Sequence, residues 1–515
     1  MAALFCGTDE KDGKSMKFGI KTKAFLLICV LLLTVLFVAC GGETVETTED
    51  LQETTPATNT VNTTQPMTEG QTPETTLPHV TEAAKPAVGN PSIIGYPSTQ
   101  DDKLPILSIK TENNQDITSR DNYINASISA SGTLDDDVYG FTDLTSEVRC
   151  RGNYTFTATE KKSYRLKFTE KINLFGQGNG PAKSWVLLAN HCDQTFLRNH
   201  VAFTMAKQLS HIDYVSSSSY VKLYINDTYV GIYQVAEQHQ VNQYRVNINE
   251  DPNVVDTDYL IERDSYANND CTLGLDYFKI DRTKYRVHSD NMTEEKCSFL
   301  ENYFSKAQDA VESGAMVSVK RYIDIDSFID TMILQAFMKN TDVGYSSFYM
   351  VKKAGGKIYF TCPWDFDLAL GNDERLDNGK VEGLYVGVKS DMSQEHEWFY
   401  LLMNENWFCN LVRERWNEVK KSLYDAALYE IDRILLCFED DMASNFDVWT
   451  KVFGRQINKE PRAIRALRSY KAHVDYLRDW YTQRYTYLDE LLNSTELYNQ
   501  GGYYSGGDWW GDWWG

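Results

Sequence analysis

A chain of 515 residues is long enough for several domains, although single α+β domains of roughly 300 to 400 residues are common, so length alone does not decide its organisation. The formal net charge of −22 leaves no basic field to neutralise phosphates, which argues against nucleic acid as a partner. Of the ten cysteines, seven are scattered after residue 40 without a C-x-x-C pair. This spacing disfavours structural zinc and a full disulfide framework, and leaves a single bridge between Cys271 and Cys297 open.

The N-terminal segment has the layout of an export signal. Three lysines precede an uncharged run over residues 24–39, which ends in Phe37-Val-Ala directly before Cys40. This run of about 16 residues is shorter than the roughly 20 that a helix needs to span a bilayer. The pattern favours a lipobox, with Cys40 as lipid anchor and Phe37 where Leu is usual, over a plain cleaved signal or an uncleaved anchor. We predict a signal peptide over residues 1–40, with Met16 as a candidate start, and an extracytoplasmic lipoprotein anchored to the bacterial cell membrane.

Two segments of low complexity flank the predicted folded part. Residues 41–91 are rich in Thr, Glu and Pro and almost lack large apolar side chains, so they cannot bury enough surface to offset the entropy of ordering. We predict a disordered stalk there and one folded domain over residues 92–500. Residues 501–515 are mostly Gly, Tyr and Trp. That tail is either a disordered end or an aromatic ligand for carbohydrate or cell wall.

The first half of the predicted domain is rich in strands, up to about Val287. Short alternating runs of β-branched and aromatic residues predict strands at 163–168, 184–188, 220–225 and 228–236. The last two runs are joined by Asn226-Asp227, and both of these residues tolerate positive φ, so the runs predict a hairpin. One helix is expected to interrupt this half, with Asp193 as its N-cap.

After Met292 the apolar period changes towards that of a helix. This change predicts helices at 294–311, 327–340, 407–423 and 462–492. A second hairpin is expected between the second and third helices, from 347–352 and 357–360. A strand-rich half followed by a helical half predicts the α+β class, with a cleft where the two halves meet.

The densest group of polar residues starts at the end of the second of these helices. Asn340 and Asp342 lie there, and Asp365 and Asp367 follow the hairpin. Residues two apart in a strand point to one face, so Asp365 and Asp367 would present two carboxylates to one cation. Oxygen ligands without His or thiolate favour magnesium, manganese or calcium over zinc. The alternative is an edge strand with solvated carboxylates.

A second group of residues is basic. Lys162, Arg165 and Lys167 lie on a predicted strand, where alternation puts the last two on one face and within reach of phosphate oxygens. Charged strand faces are usually only solvated, so this signal depends on its pairing with the acidic group. Glu237 ends the first hairpin, where it either orients one of these basic residues or marks the point at which the strand meets water.

The ordered set of motifs resembles the spore coat protein H (CotH) kinase family. The similarity runs from about Leu104 to Asn372, with a weaker helical match to about Leu492. The matching motifs are Arg151-Gly152-Asn153, Lys161-Lys162-Ser163-Tyr164-Arg165-Leu166-Lys167, Ala189-Asn190 to Asp193, Leu197-Arg198-Asn199, Tyr229-Val230-Gly231-Ile232-Tyr233 with Glu237, Asp326-Ser327-Phe328, Asn340-Thr341-Asp342, Ser347-Phe348-Tyr349, and Trp364-Asp365-Phe366-Asp367 with Gly371-Asn372.

The resemblance implies an atypical protein kinase with a reduced kinase-like fold, which uses ATP and Mg²⁺ or Mn²⁺ to modify a hydroxyl of a protein on the cell or spore surface. By position, Asp342 corresponds to the catalytic aspartate and Asp365 to the metal-binding one. Asn340 and Asp367 are further candidates for the metal. Lys162, Arg165, Lys167 and Glu237 are the candidates for the nucleotide site.

Two residues depart from the family pattern, of which Ser163 is the minor one and Ala336 the one that bears on activity. Ser163 replaces a common Pro, and Ala336 stands where many relatives carry Glu. ATP is also scarce outside the cytoplasm. A non-catalytic surface adhesin or scaffold on the same fold, associated with carbohydrate or cell wall, therefore remains the alternative to a kinase.

Overall fold

The protein is described here from a computed structural model, which covers residues 103–133, 136–176, 179–341, 343, 345–375, 379–384, 389–390, 395–495, 497 and 503–504. The predicted signal peptide, the anchor Cys40 and the stalk lie outside the described residues. So does Asp342, and so does the aromatic tail apart from the backbone of Tyr503 and Tyr504. The described residues belong to the compact unit Thr81–Gly515.

Seven strands form a closed barrel: β1 (Ile106–Thr111), β2 (Ile124–Ser131), β3 (Phe141–Arg151), β4 (Ser163–Ile172), β5 (Ala182–Leu188), β6 (Ser218–Ile225) and β7 (Thr228–Glu237). Their order around the barrel is β1-β2-β3-β4-β5-β7-β6, and β6 closes onto β1 in parallel while the other neighbours are antiparallel. Alternate residues point inward, among them the fully buried Val148, Leu166 and Leu187. This inward packing is the physical reason for the alternating pattern of the sequence.

The predicted hairpin of β6 and β7 is confirmed. Its turn residues Asn226 and Asp227 have φ of 49° and 62°, and Ile225 pairs with Thr228 across the turn. Asn and Asp tolerate this left-handed conformation better than most residues, which is why the sequence marks the turn so clearly.

Five more strands form a second sheet: β8 (Tyr259–Arg263), β9 (Tyr277–Ile280), β10 (Thr283–Val287), β11 (Phe348–Lys352) and β12 (Ile358–Thr361). Their order is β12-β11-β8-β10-β9, with antiparallel pairing throughout. The predicted second hairpin is therefore confirmed as β11 and β12. It pairs with β8, a strand from the strand-rich half of the domain, and so ties the strand-rich half to the helical half. A further short pair joins β13 (Lys389–Ser390) to β14 (Tyr503–Tyr504) in parallel.

The described helices are α1 (Asp136–Tyr139), α2 (Tyr154–Ala158), α3 (Arg198–Ala206), α4 (Ala267–Asp270), α5 (Glu294–Glu312), α6 (Met316–Tyr322), α7 (Ile325–Met338), α8 (Glu395–Met403), α9 (Asn406–Ala443), α10 (Asn445–Val448), α11 (Arg462–Arg465) and α12 (Tyr470–Asn493). The strand-rich half and the helical half confirm the α+β class. Side chains of Thr293, Asp324 and Ser469 accept a backbone N–H at the starts of α5, α7 and α12. These caps satisfy donors that a helix end leaves open.

Several predicted boundaries are wrong for local reasons. The helix predicted at 462–492 is broken, because Ser469 caps a new helix after α11. The helix predicted at 407–423 continues to Ala443. Asp193 is not the N-cap of α3, which begins five residues later, although its carboxylate does accept the backbone N–H of Arg198 at 3.0 Å.

The structure also shows the state of the cysteines and whether a described helix could span a membrane. All seven cysteines of the described chain are free, so the bridge between Cys271 and Cys297 is not formed. Desolvation raises the pKa of both thiols. Within the described ranges, the helices are all too short or too polar to cross a membrane.

Candidate active site

The acidic segment that follows β12 is irregular and not a strand. Asp365 has φ of 66°, and residues 362–366 form no ladder. The strand argument that placed Asp365 and Asp367 on one face is therefore wrong. Nearby Cys362, Ser347 and Leu370 also have positive φ, at 53°, 58° and 46°. Such strained backbone costs about 1–3 kcal/mol per residue and is concentrated at functional sites.

Asp365 lies between the end of barrel strand β3 and the second sheet, within the electrostatic reach of Arg151 and Glu262, and we call this region the cleft. The side chain is exposed to solvent, yet enough protein surrounds it that desolvation raises its pKa. The positive charge of Arg151 and the hydroxyl of Ser347 oppose that rise, with the hydroxyl oxygen 3.5 Å from Oδ2. An accessible carboxylate in poorly solvated surroundings has much to gain from a cation.

The backbone around Asp365 is held by side chains from distant parts of the chain. Asn340 donates its amide to the carbonyl of Asp365 at 3.3 Å, and Asn199 accepts the N–H of Phe366 at 2.7 Å. The guanidinium of Arg198 donates to the carbonyls of Ala369 and Leu370 at 2.9 and 3.2 Å. These contacts hold the main chain at Asp365 and Phe366 and again at Ala369 and Leu370.

The loop before α3 holds the other end of this segment. Asn372 donates to the carbonyl of Cys192 at 2.8 Å and to that of Asp367 at 2.7 Å. Arg198 in turn pairs with Asp193 at 2.6 Å, and both are almost fully buried. The motif around residues 190–199 is thus the clamp that shapes the acidic segment.

A buried chain of hydrogen bonds extends this clamp across the molecule. Asn199 donates to Asn190 at 3.3 Å, and Asn190 donates to Gln234 of β7 at 2.8 Å. The next links are Gln234 to Ser218, Ser218 to His200, and His200 to Glu430 of α9, with distances of 2.9, 2.9 and 3.0 Å. Glu430 also pairs with Arg433 at 2.7 Å. Barrel, α3 and α9 are thereby coupled to the backbone beside Asp365.

Sequence reasoning missed Glu262, whose charge acts on this carboxylate, and two histidines near it, His288 and His239. Glu262 of β8 is paired in register with Tyr349 of β11, and its carboxylate lies 2.7 Å from Nε2 of His288. The ring of His239 packs edge-on against Tyr349 and Trp364, at 4.6 Å in both cases. Burial lowers the pKa of His239 to about 3. Only the register of two strands far apart in sequence could have brought these residues together.

The basic residues predicted for the nucleotide site make contacts on the barrel itself. Lys162 donates to the main-chain carbonyl of Phe156 at 2.6 Å and to that of Thr159. Lys167 pairs with Glu147 on the neighbouring strand at 3.0 Å. Arg165 is opposite Arg149 across β3 and β4, and desolvation lowers its pKa.

Glu237 neither meets water nor orients the predicted basic strand. It is fully buried, and it pairs with Arg245 at 2.7 Å. Tyr214 and the backbone N–H of Ser217 also donate to it, each at 3.1 Å. Desolvation raises its pKa, and Arg245 opposes the rise. The expectation of a surface or strand-orienting role is corrected, because Glu237 belongs to a separate buried ion pair.

The remaining acidic candidates are Asp367 and Asp342. Asp367 is half-buried, and its charge raises the pKa of the buried Cys192 thiol, as does that of Asp365. Asp342 lies outside the described residues, but its neighbour Thr341 is 3.5 Å from the buried carboxylate of Asp373. Within the described ranges, His, Cys, Asp and Glu form no group of three with metal-binding geometry.

Comparison with protein families assigns most of the folded part of the chain to a known family. A family model described as CotH kinase protein matches residues 148–488, about two thirds of the chain. The matched range includes β4, the clamp before α3 and the whole acidic segment. No curated protein matches the sequence.

Proposed function

The chain belongs to the CotH kinase family, and we propose that it is an atypical protein kinase that moves phosphate from ATP to Ser or Thr of surface or coat proteins. The observation that carries this proposal is the setting of Asp365. Its carboxylate is open to a cleft, its pKa is raised by desolvation, and its backbone is fixed by Asn340 and Asn199. A reduced kinase-like fold is part of the same proposal.

The donor set suits a small hard cation that keeps part of its water shell. Mg²⁺ is usually held by one or two carboxylates together with substrate phosphates, so a protein cage of three acidic residues is not required. Asp365 would supply the first carboxylate, with Asp367 the next candidate. A bound Mg²⁺ or Mn²⁺ would neutralise charge on the phosphates.

The chemistry assigned to the chain's own residues is limited to orientation and proton transfer. The substrate hydroxyl oxygen forms a bond to the γ-phosphorus as the bond between that phosphorus and the β,γ-bridging oxygen breaks, and ADP leaves with the electron pair. In this proposal Asp342 orients the hydroxyl and accepts its proton. Asn340, next but one to Asp342, links this region to Asp365 through its amide.

Location is part of the proposal. A lipid on Cys40 would hold the domain outside the membrane, where it meets protein substrates and draws ATP from lysis, a host or a forespore-like compartment. The basic start and short apolar run that end at Cys40 support this. A Cys40→Ala variant should be released into the medium, whereas a variant that stays membrane-bound would indicate an uncleaved helix.

The second candidate is a non-catalytic adhesin or scaffold, in which the aromatic tail contacts carbohydrate. Ala336 favours it. This residue is fully buried in α7, and its carbonyl accepts a hydrogen bond from Arg484 at 2.6 Å, so a methyl group occupies the place where many relatives carry a carboxylate.

Radiolabelled ATP decides between the two. We expect the full-length protein to transfer phosphate to itself or to a surface protein when Mg²⁺ or Mn²⁺ is present. Asp342→Asn should lower transfer by roughly 10³-fold or more with nucleotide binding retained. Asp365→Ala should weaken metal-dependent nucleotide binding. Asp227→Asn, at an exposed hairpin turn, is the matched control. If the wild type transfers no phosphate with either metal, the kinase proposal fails and the scaffold stands.

A further inference from the structure

The outward face of β3 and β4 carries a row of arginines that ends at the cleft. Arg149 and Arg151 alternate on β3 with the inward Val148 and Cys150, and Arg165 lies directly opposite Arg149. Like charges placed opposite each other across a sheet are destabilising unless something compensates them. In a protein with a net charge of −22, this row is a local reversal of sign.

The members of the row differ in what they contact. Arg149 donates to the carbonyls of Arg120 and Cys150, and its guanidinium lies 5.0 Å from the ring of Tyr123. Arg151 lies over the ring of Trp364, at 5.7 Å from its centroid. Within the part of the chain that the structure describes, the Arg151 guanidinium forms no hydrogen bond and no ion pair.

Arg151 is nevertheless close to the acidic residues of the cleft. It is half-buried. Desolvation lowers its pKa, and the charges of Asp365, Tyr349 and Glu262 oppose this effect. A guanidinium whose donors are open, beside a candidate metal carboxylate, has the arrangement that a phosphate chain needs: a metal on one side and a fork of N–H donors on the other.

The turn after β3 determines where the strand ends, which is at Arg151. Gly152 has φ of 102°, and a Cβ there would lie 2.4 Å from the hydroxyl of Thr155. Only glycine permits so sharp an exit from the strand into α2. Asn153 then accepts a hydrogen bond from Arg120 at 2.8 Å, which anchors the turn to the neighbouring loop. The Arg-Gly-Asn motif therefore places Arg151 at the edge of the cleft.

We propose that Arg151 is the phosphate-binding cation of this cleft, and that its guanidinium contacts the phosphate chain of the nucleotide beside Asp365. The assignment rests on the proposed kinase function for the identity of the nucleotide. In this role Arg151 takes the place of Lys162 and Lys167, because the charged groups of those two lysines already have partners on the barrel. Arg165, one step away on the same face, adds positive charge behind it.

The test compares three variants of the full-length protein. Arg151→Gln removes the charge at similar size, Arg151→Lys keeps the charge without the fork, and Arg149→Gln is the matched control one step outward on the same face. Binding of Mg²⁺-ATP and of inorganic tripolyphosphate is measured by calorimetry, and near-ultraviolet circular dichroism checks the fold. We expect Arg151→Gln to weaken both ligands by about 10- to 100-fold, Arg151→Lys by less, and Arg149→Gln by about twofold at most.

The outcomes separate this assignment from the kinase proposal. If wild type binds Mg²⁺-ATP and Arg151→Gln binds it equally well, the assignment of Arg151 is overturned while the kinase proposal stands. If tripolyphosphate binds in an Arg151-dependent way and ATP does not, Arg151 is upheld as an anion site and the kinase proposal fails. Binding of neither ligand to a folded wild-type protein overturns both.

Discussion

The Lys167–Glu147 pair on the outward face of the barrel and the acidic segment after β12 are both charged, but they differ in which groups have partners. On the barrel, Lys167 is partnered by Glu147 on the adjacent strand, and both side chains remain about half exposed. In the acidic segment, Asn199, Arg198 and Asn340 are hydrogen-bonded to the main chain, while the Asp365 side chain remains exposed. A side chain left open on a backbone that is fixed from far away is a better sign of function than charge density alone.

The largest expected effect comes from breaking the clamp. Arg198→Ala leaves the buried carboxylate of Asp193 without its guanidinium, and removing one partner of a buried pair costs about 3–5 kcal/mol. The free energy of unfolding, measured by urea denaturation, should fall by that amount. Lys167→Ala breaks an exposed pair and should cost less than about 1 kcal/mol. Equal losses in the two variants would remove the contrast between clamp and barrel face.

A smaller effect on stability, but a sharper one on the site, is expected from Asn199. Asn199→Leu removes the acceptor of the Phe366 N–H and leaves buried polar groups unpaired, at about 1–3 kcal/mol. Because Asp365 is the preceding residue, we expect the affinity for Mn²⁺ in the nucleotide complex to fall roughly 10- to 100-fold. Electron paramagnetic resonance of bound Mn²⁺ measures this at a temperature where the variant is folded.

The same helix offers the control for that experiment. Thr204 is buried in α3, and its hydroxyl has no hydrogen-bond partner among the described residues. Thr204→Val therefore removes a polar atom without breaking a contact, and should leave Mn²⁺ affinity unchanged. If Asn199→Leu also binds Mn²⁺ as wild type does, Asn199 has a structural role only.

The smallest expected effect concerns how the free energy of unfolding depends on pH. A residue of the cleft should contribute to this dependence, and a residue of the barrel face should not. His239 packs between Tyr349 and Trp364, and its pKa is lowered to about 3, whereas an unfolded histidine titrates near 6.5. The unfolded chain therefore binds the proton first, so the stabilising contribution is complete above about 6.5 and is lost as the pH falls towards 3.

Urea denaturation at pH 7, 6 and 5 measures this contribution. His239→Gln should reduce the loss of stability on acidification by at most about 1.4 kcal/mol per pH unit. The charges that face the ring come from His288, Arg151 and Arg245, and all three disfavour its protonation. Lys167→Ala, on the barrel face, should leave the slope unchanged. An unaltered slope in the His239 variant would show that this histidine is not a source of acid sensitivity.

The elements that the sequence predicted well are those with local causes. The Asn226-Asp227 turn, the hairpin of β11 and β12, and the helix at α5 are determined by turn residues, alternation and a capping Thr. The same local reasoning failed where one polar side chain changed the outcome, as at Ser469, which starts a new helix inside a continuous apolar period.

The candidate site shows the same division between local and tertiary causes. Sequence alone located the acidic segment, and it identified the family of the chain and the two aspartates, Asp342 and Asp365, to which roles are proposed. It could not say that Asp365 adopts positive φ, that Asn199 and Arg198 hold the surrounding backbone, or that Arg151 reaches the cleft beside Glu262 and Trp364. Those facts depend on strand register and on hydrogen bonds between residues more than 160 positions apart, and only the packed tertiary structure sets them.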